Sequence, residues 1–308
     1  MGFHLRRQGK TMSRSDPRFR LERQRREVDR YLLQLLEKGD EPPSLREAMR
    51  HSVAAGGKRL RPLLVIAAAE TFGYPAGKVM PVAAAIELVH TYSLIHDDLP
   101  AMDDGVLRRG RPTCHRIYGE ALAILAGDAL LTLAFEEIAS FGLSEGQAGR
   151  ALRISRELAR AAGREGMVGG QVLDLQSEGR QITLPELEEI DSRKTGALLQ
   201  AAVRCGAIAA TAEAEALKNL SDYGTCLGLA FQITDDLLDR EGEAAALGKD
   251  TGADEARGKA TMPALIGAAK ARRRAEGLYR QALGHLDALG RPAESLAELA
   301  RQLVYRNS

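Results

Sequence analysis

The chain has 308 residues, with 43 basic and 42 acidic side chains and a formal net charge of +1. That balance excludes bulk electrostatic attraction to nucleic acid or to an anionic membrane, so any anion must be gripped locally. Three scattered cysteines, Cys114, Cys205 and Cys226, lack any C-x-x-C spacing, which excludes a zinc site or a disulfide framework and points to a reducing cytoplasm.

Residues 1–20 are polar and basic, without the apolar stretch of a signal peptide, and are expected to form a disordered arm. Between Leu45 and Leu303 nothing resembles a linker, so a single domain with ample core is expected over residues 21–308. Apolar residues recur at helical spacing: Val28, Leu32, Leu35 and Leu36, then Leu122, Leu125, Ala129 and Leu133, and later Leu217, Leu220, Leu227 and Phe231. Apolar runs such as Leu63 to Ala69 and Val82 to Ile86 are too short to span a bilayer. Between them fall Gly- and Pro-containing breaks, among them Gly105 to Pro112 and the charged stretch from Glu241 to Gly258. Thr183-Leu184-Pro185-Glu186 is a helix start, with Thr183 as N-cap and Glu186 three residues on. No segment alternates with period two, so the pattern predicts an all-α bundle of roughly ten or more helices.

Seven carboxylates are crowded into two short segments on this apolar background: Asp97, Asp98, Asp103 and Asp104, then Asp235, Asp236 and Asp239. Carboxylates this close repel one another and lose hydration when a core-facing helix carries them, so a cation must compensate. Hard aspartate oxygens fit Mg²⁺. Asp235 and Asp239 stand four apart on a helix, stacked on one face near its C-terminal end, where the helix dipole also disfavours anions. Taken alone, that segment reads equally as a solvated acidic helix end or a metal site. The first cluster tips the balance, because Pro100 breaks its helix and turns Asp103 and Asp104 back toward Asp97.

The basic counterparts lie in Gly56-Gly57-Lys58-Arg59-Leu60-Arg61-Pro62 and Arg108-Arg109-Gly110-Arg111, two loop segments suited to oxyanions. Lys194, Lys249 and Lys259 add further cations. Acidic and basic clusters in alternation suit a substrate with two or more phosphates, bridged to protein by Mg²⁺.

At this point the residues resemble a family. G-G-K-R-L-R-P at 56–62, D-D-x-x-x-x-D at 97–103 followed by R-R-G-x-P-T, G-D-A at 127–129, K-T at 194–195 and F-Q-x-x-D-D-x-x-D at 231–239 look like the trans-isoprenyl diphosphate synthases of the bacterial short-chain type. The match in order and spacing runs from about residue 45 to 270. The resemblance implies an all-α fold around a central cavity, a homodimer, and head-to-tail condensation of isopentenyl diphosphate with an allylic diphosphate.

It also implies roles. The isopentenyl diphosphate site falls on Lys58, Arg61, His90 and Arg109, and the allylic diphosphate site on Arg108, Lys194, Thr195, Gln232, Lys249 and Lys259. Metal ligation falls chiefly on Asp97, Asp103 and Asp235, with Asp98 and Asp239 as nearby or water-mediated partners, for three Mg²⁺ per site when diphosphate is bound. Gln171 and Asp174 match a helix lining the same cavity, or are a simple polar pair at a helix break. The 241–258 loop is expected to act as a lid.

Chain length is implied to depend on residues four, five and eight before Asp97, namely Ser93, Tyr92 and Val89. An aromatic at the fifth position, with the two extra residues Pro100 and Ala101, is similar to enzymes making the C15 product, against a C20 alternative. Tyr92 reads equally as an ordinary buried tyrosine. One departure stands out, because Gly105-Val106 replace further acidic residues of the first motif.

Three other readings fit less well. A terpene cyclase needs aromatic faces for its cation, and this chain has no Trp. A di-iron bundle needs more than the single Glu87-x-x-His90. A non-catalytic regulatory subunit tends to lose one Asp motif, and both are present here.

Overall fold

The computed structural model describes residues 16–144, 146–240 and 260–305. Among them, fourteen α-helices carry nearly all the regular structure. The first, α1 (Pro17–Leu35), begins inside the stretch expected to be a disordered arm: the Asp16 side chain accepts from the Arg18 amide at 2.9 Å and Pro17 takes the first helical position. Then follow α2 (Pro43–Ala54), α3 (Leu60–Thr71) and α4 (Ala76–Asp97). A two-residue antiparallel ladder, β1 (Leu107–Arg108) with β2 (Arg111–Pro112), interrupts the helices. No strand was expected there, because two residues per arm are too few to show a period. After it come α5 (Cys114–Tyr118), α6 (Glu120–Ser144), α7 (Ala148–Ala162), α8 (Met167–Ser177) and α9 (Leu184–Asp191). A π-helical turn (Ser192–Gly196) leads into α10 (Ala197–Ala209), and α11 (Ala214–Arg240), α12 (Met262–Ile266), α13 (Ala268–Asp287) and α14 (Glu294–Val304) complete the order.

Composition explains which helices lie inside. In α3 every residue from Pro62 to Ala69 is buried, and in α4 burial is nearly continuous from Val79 to Val89. A helix apolar on all sides must be surrounded, so α3 and α4 form the centre, packed against α6 and α10. By length and composition α4 would suffice to cross a membrane, but it is a mostly buried core helix. Alanines dominate these contacts, which lets helix axes approach closely. Amphipathic helices α1, α7, α13 and α14 enclose them, each burying one stripe, as Leu21, Val28 and Leu32 do on α1. The helix start at Thr183 forms as its sequence requires: the Thr183 amide and hydroxyl both donate to Glu186 Oε2, at 2.7 and 2.8 Å.

Tyr223 of α11 is fully buried, and its hydroxyl donates to the Leu296 carbonyl of α14 at 2.9 Å. Tyr223→Phe removes this inter-helix bond and should lower unfolding free energy by about 0.5–1.5 kcal/mol, read as a lower urea midpoint at unchanged slope.

Candidate active site

Helix α4 delivers Asp97 at its last turn, and Pro100 stops the helix from continuing. The chain then folds back on itself. Asp103 N donates to the Asp97 carbonyl at 2.8 Å, Asp104 N to Leu99 at 3.0 Å, and Gly105 N to Asp98 at 3.1 Å, so Asp103 returns beside Asp97. Asp97 lines a cavity of about 1150 Å³, as does Asp235 on α11. Burial first, and then the like charges of Asp103 and Asp98, raise the Asp97 carboxyl to about 6 against the opposing pull of Lys194 and Arg108.

Asp98 points elsewhere. It is buried and accepts Arg108 Nε and Nη2 at 2.7–2.9 Å, which makes it the anchor of an arginine that itself lines the cavity. Asp98, expected as a nearby or water-mediated metal partner, is engaged in this ion pair, since consecutive helical residues face different directions. Gly105 lies close to this pair: a Cβ there would stand 2.8 Å from Asp98 Oδ1. On the outer side, Asp104 is exposed and accepts from Arg116 at 3.0 Å.

The basic loop is built around Arg59, a residue the motif reading passed over. It is buried, has a left-handed φ of 48°, and precedes α3. Its Nε, Nη1 and Nη2 donate to Asp29, Glu87 and the Val53 carbonyl at 2.8, 2.7 and 2.6 Å. Three fixed bonds hold the loop so that Lys58 and Arg61 on either side line the cavity. Arg109, with φ 54°, donates to the Gly56 carbonyl and closes the same corner. Burial and Arg109 lower the Arg61 guanidinium to about 10, still a cation, and its Nε has no hydrogen-bond partner among the described residues. Burial and the surrounding arginines push His90 well below its usual range, so it is neutral. Glu87, read in sequence only as half of a metal pair, is the counter-ion of Arg59, and its i+3 spacing from His90 puts both on one face of α4.

Opposite this corner, the π turn supplies Lys194 and Thr195. Single π turns widen a helix locally and expose backbone to neighbours. Here α11 closes against it at glycine: a Cβ at Gly228 would stand 2.6 Å from Gly196 Cα. That approach lets Thr195 Oγ1 donate to Gln232 Oε1 at 3.1 Å, while Gln232 Nε2 donates to Asp236 Oδ1 at 2.8 Å and Asp236 Oδ2 accepts the Met262 amide at 2.9 Å. Asp236 is accordingly buried structure, with Asp235 beside it on the cavity wall. Lys194 Nζ donates to Asp174 Oδ2 at 2.6 Å. Gln171, one turn earlier on α8, lines the cavity with both amide atoms buried and without a hydrogen-bond partner among the described residues.

Of the residues expected to set chain length, Tyr92 and Ser93 line the cavity. Val89 does not. It is completely buried in the helical core, a turn beyond the point where the Tyr92 ring stands. Asp239 lies one turn beyond Asp235 on α11 and is half-buried outside the cavity lining. Lys249, Lys259 and the expected lid of residues 241–258 lie outside the described residues.

A polyprenyl synthetase family model matches residues 42–294. The chain belongs to that family. A farnesyl diphosphate synthase of Bacillus subtilis is 45% identical over 280 residues, covering 91% of this chain and 95% of that protein. A chloroplastic geranylgeranyl pyrophosphate synthase of Catharanthus roseus is 46% identical over 272 residues, covering 87% and 75% respectively. Among solved structures, a geranyltransferase of Helicobacter pylori complexed with magnesium and isoprenyl diphosphate superposes with a TM-score of 0.81 at 31% identity, covering 96% of this chain and 98% of that one.

For a polyprenyl synthetase that uses Mg²⁺, the donor set fits. Carboxylate oxygens are hard ligands, and the half-buried Asp97, its carboxyl raised by desolvation and like charges, is the kind of group that a divalent cation relieves. Among the described residues no three His, Cys, Asp or Glu side chains group closely enough to hold a metal by themselves. The two aspartate motifs instead face one cavity from different helices.

Asp191, the last residue of α9, is buried, and its Oδ2 has no hydrogen-bond partner among the described residues. Burial first, then Asp236 and Asp174, push its carboxyl well above the usual range. The unfolded chain releases this proton above about pH 4 while the folded protein keeps it, so the group costs stability increasingly as pH rises. Asp191→Asn should therefore raise the urea midpoint, by more at pH 8 than at pH 5.

Proposed function

We propose that this chain is a short-chain prenyl diphosphate synthase, joining isopentenyl diphosphate head to tail to dimethylallyl or geranyl diphosphate and releasing farnesyl diphosphate and pyrophosphate. The observation that carries this reading is a single cavity whose wall holds Asp97 and Asp235 together with Lys58, Arg61, Arg108, Arg109 and Lys194, and which continues between apolar side chains to Tyr92. Diphosphates belong at the charged end and a growing hydrocarbon at the other.

Lys194, Thr195, Gln232 and Arg108 hold the allylic diphosphate, with Lys249 and Lys259 assigned to the same group from the motif. Lys58, Arg61, His90 and Arg109 hold isopentenyl diphosphate, and neutral His90 contributes a hydrogen bond without a charge. Asp97, Asp103 and Asp235 would hold Mg²⁺, three ions in our reading, with Asp239 as an outer partner. Bound there, Mg²⁺ supplies concentrated positive charge to the diphosphate oxygens.

As the allylic carbon–oxygen bond breaks, negative charge builds on the departing diphosphate, where fixed cations such as Lys194 stabilise it. The isopentenyl double bond, positioned by Lys58, Arg61 and Arg109, donates its electron pair to the allylic carbon and forms the new carbon–carbon bond. Loss of one proton, taken by the departing pyrophosphate, restores a double bond. No side chain need be a strong base. Enclosure by apolar side chains such as Leu99, Met167 and Leu175 excludes water from the cation.

Tyr92 supports the C15 product, since its ring stands in the cavity wall five residues before Asp97 and closes the space available to the tail. We also read the protein as a homodimer, because Ile117, Ile124 and Leu125 expose an apolar face across α5 and α6. Three buried thiols support a cytoplasmic setting.

Incubation with isopentenyl diphosphate, Mg²⁺ and either allylic primer, followed by chromatography of the dephosphorylated products, should give C15 alcohol, and chelation of the metal should abolish turnover. Absence of elongation with both primers would sink the reading. Tyr92→Ala should shift the product to C20 or longer, and an unchanged C15 product would remove Tyr92 from the floor.

A further inference from the structure

The G-D-A segment at 127–129 has no part in the chemistry above, yet its glycine is in one of the tightest places in the protein. A Cβ on Gly127 would collide with the His96 imidazole, meeting Cδ2 at 2.6 Å and Cε1 at 3.0 Å. Any larger residue would require that ring to shift. His96 Nε2 donates to the Ile124 carbonyl, one turn earlier on α6, at 3.1 Å, and lies 3.9 Å from Asp128 Oδ1. The imidazole is therefore seated on α6 from below.

Its other neighbour is Tyr92. The two rings meet edge to face, with centroids 5.6 Å apart and an interplanar angle of 77°. They are four residues apart on α4, so they stack on one helix face. Both line the cavity, as does Ile124. A lone tyrosine ring across the end of a cavity can swing about χ1 when a growing chain presses on it. Here the imidazole blocks that swing, and Gly127 with the Ile124 carbonyl blocks the imidazole.

We propose that His96, seated on Gly127, is a second determinant of product length, acting as a positioning residue that holds the Tyr92 ring across the end of the cavity. The proposal rests on the prenyl-elongation reading above. It makes the floor a relay from α6 through His96 to Tyr92, so that chain length depends on a residue of α6 that touches no substrate.

The test compares the unaltered chain with His96→Ala, Gly127→Ala, Tyr92→Ala and the Tyr92→Ala/His96→Ala double variant, using isopentenyl and dimethylallyl diphosphates with Mg²⁺. Product lengths are read by chromatography after dephosphorylation. Both single changes at the relay should raise the C20 to C15 ratio by about tenfold or more, equivalent to about 1.4 kcal/mol. The double variant should match Tyr92→Ala alone, because His96 acts only through that ring. Should Gly127→Ala fail to fold, His96→Ala still decides the matter.

An unaltered enzyme that makes C15 beside a His96→Ala variant that is slower but still stops at C15 would overturn the inference and leave the function intact. Additive lengthening in the double variant would also overturn it. No elongation by the unaltered chain would overturn both.

Discussion

Charge withdrawn from water must find a partner, and the site depends on how that requirement is met. Around one cavity the partners form a shell: Asp98 with Arg108, Asp174 with Lys194, Arg59 with Glu87 and Asp29, and Asp236 with Gln232 and the Met262 amide. Each pair is short, and most are at least half buried, so loss of one member leaves the other stranded at a cost of several kcal/mol. The shell holds Asp97, Asp235, Lys58 and Arg61 on the wall of the cavity.

That arrangement needs helices to approach more closely than ordinary side chains allow. Glycine and alanine supply the room. Gly228 lets α11 meet the π turn at Gly196, which brings Gln232 to Thr195, and Gly127 lets α6 receive His96. The alanines of α3, α4 and α10 keep the centre compact enough for a large cavity to sit beside it without loss of core. Packing and chemistry are thus set by the same residues.

Much of this was legible in the sequence because it is local. Helical spacing, Pro100 as a stop and the Thr183 cap each act within a few residues, and all reappear in the structure. The start of α1 at Pro17 was missed because polar, basic residues mask a helix whose buried stripe begins only at Leu21. The hairpin at 107–112 was missed because its arms are too short to carry a period. Arg59 and Glu87 were passed over because their value lies in each other, 28 residues apart.

By itself the sequence determined the all-α class, the two aspartate clusters and the cations opposite them, because residue type, spacing and helix punctuation are enough for those. Only the tertiary structure decided which charges face the cavity and which face one another. Asp97 and Asp98 are adjacent in the chain, yet helical rotation sends one to the cavity wall and the other to Arg108. Likewise Tyr92 and Val89 both qualify by spacing, but the cavity reaches only the first. The reason is physical: a pattern along one helix gives direction to within a face, and the neighbouring helices decide how deep the space beside that face extends.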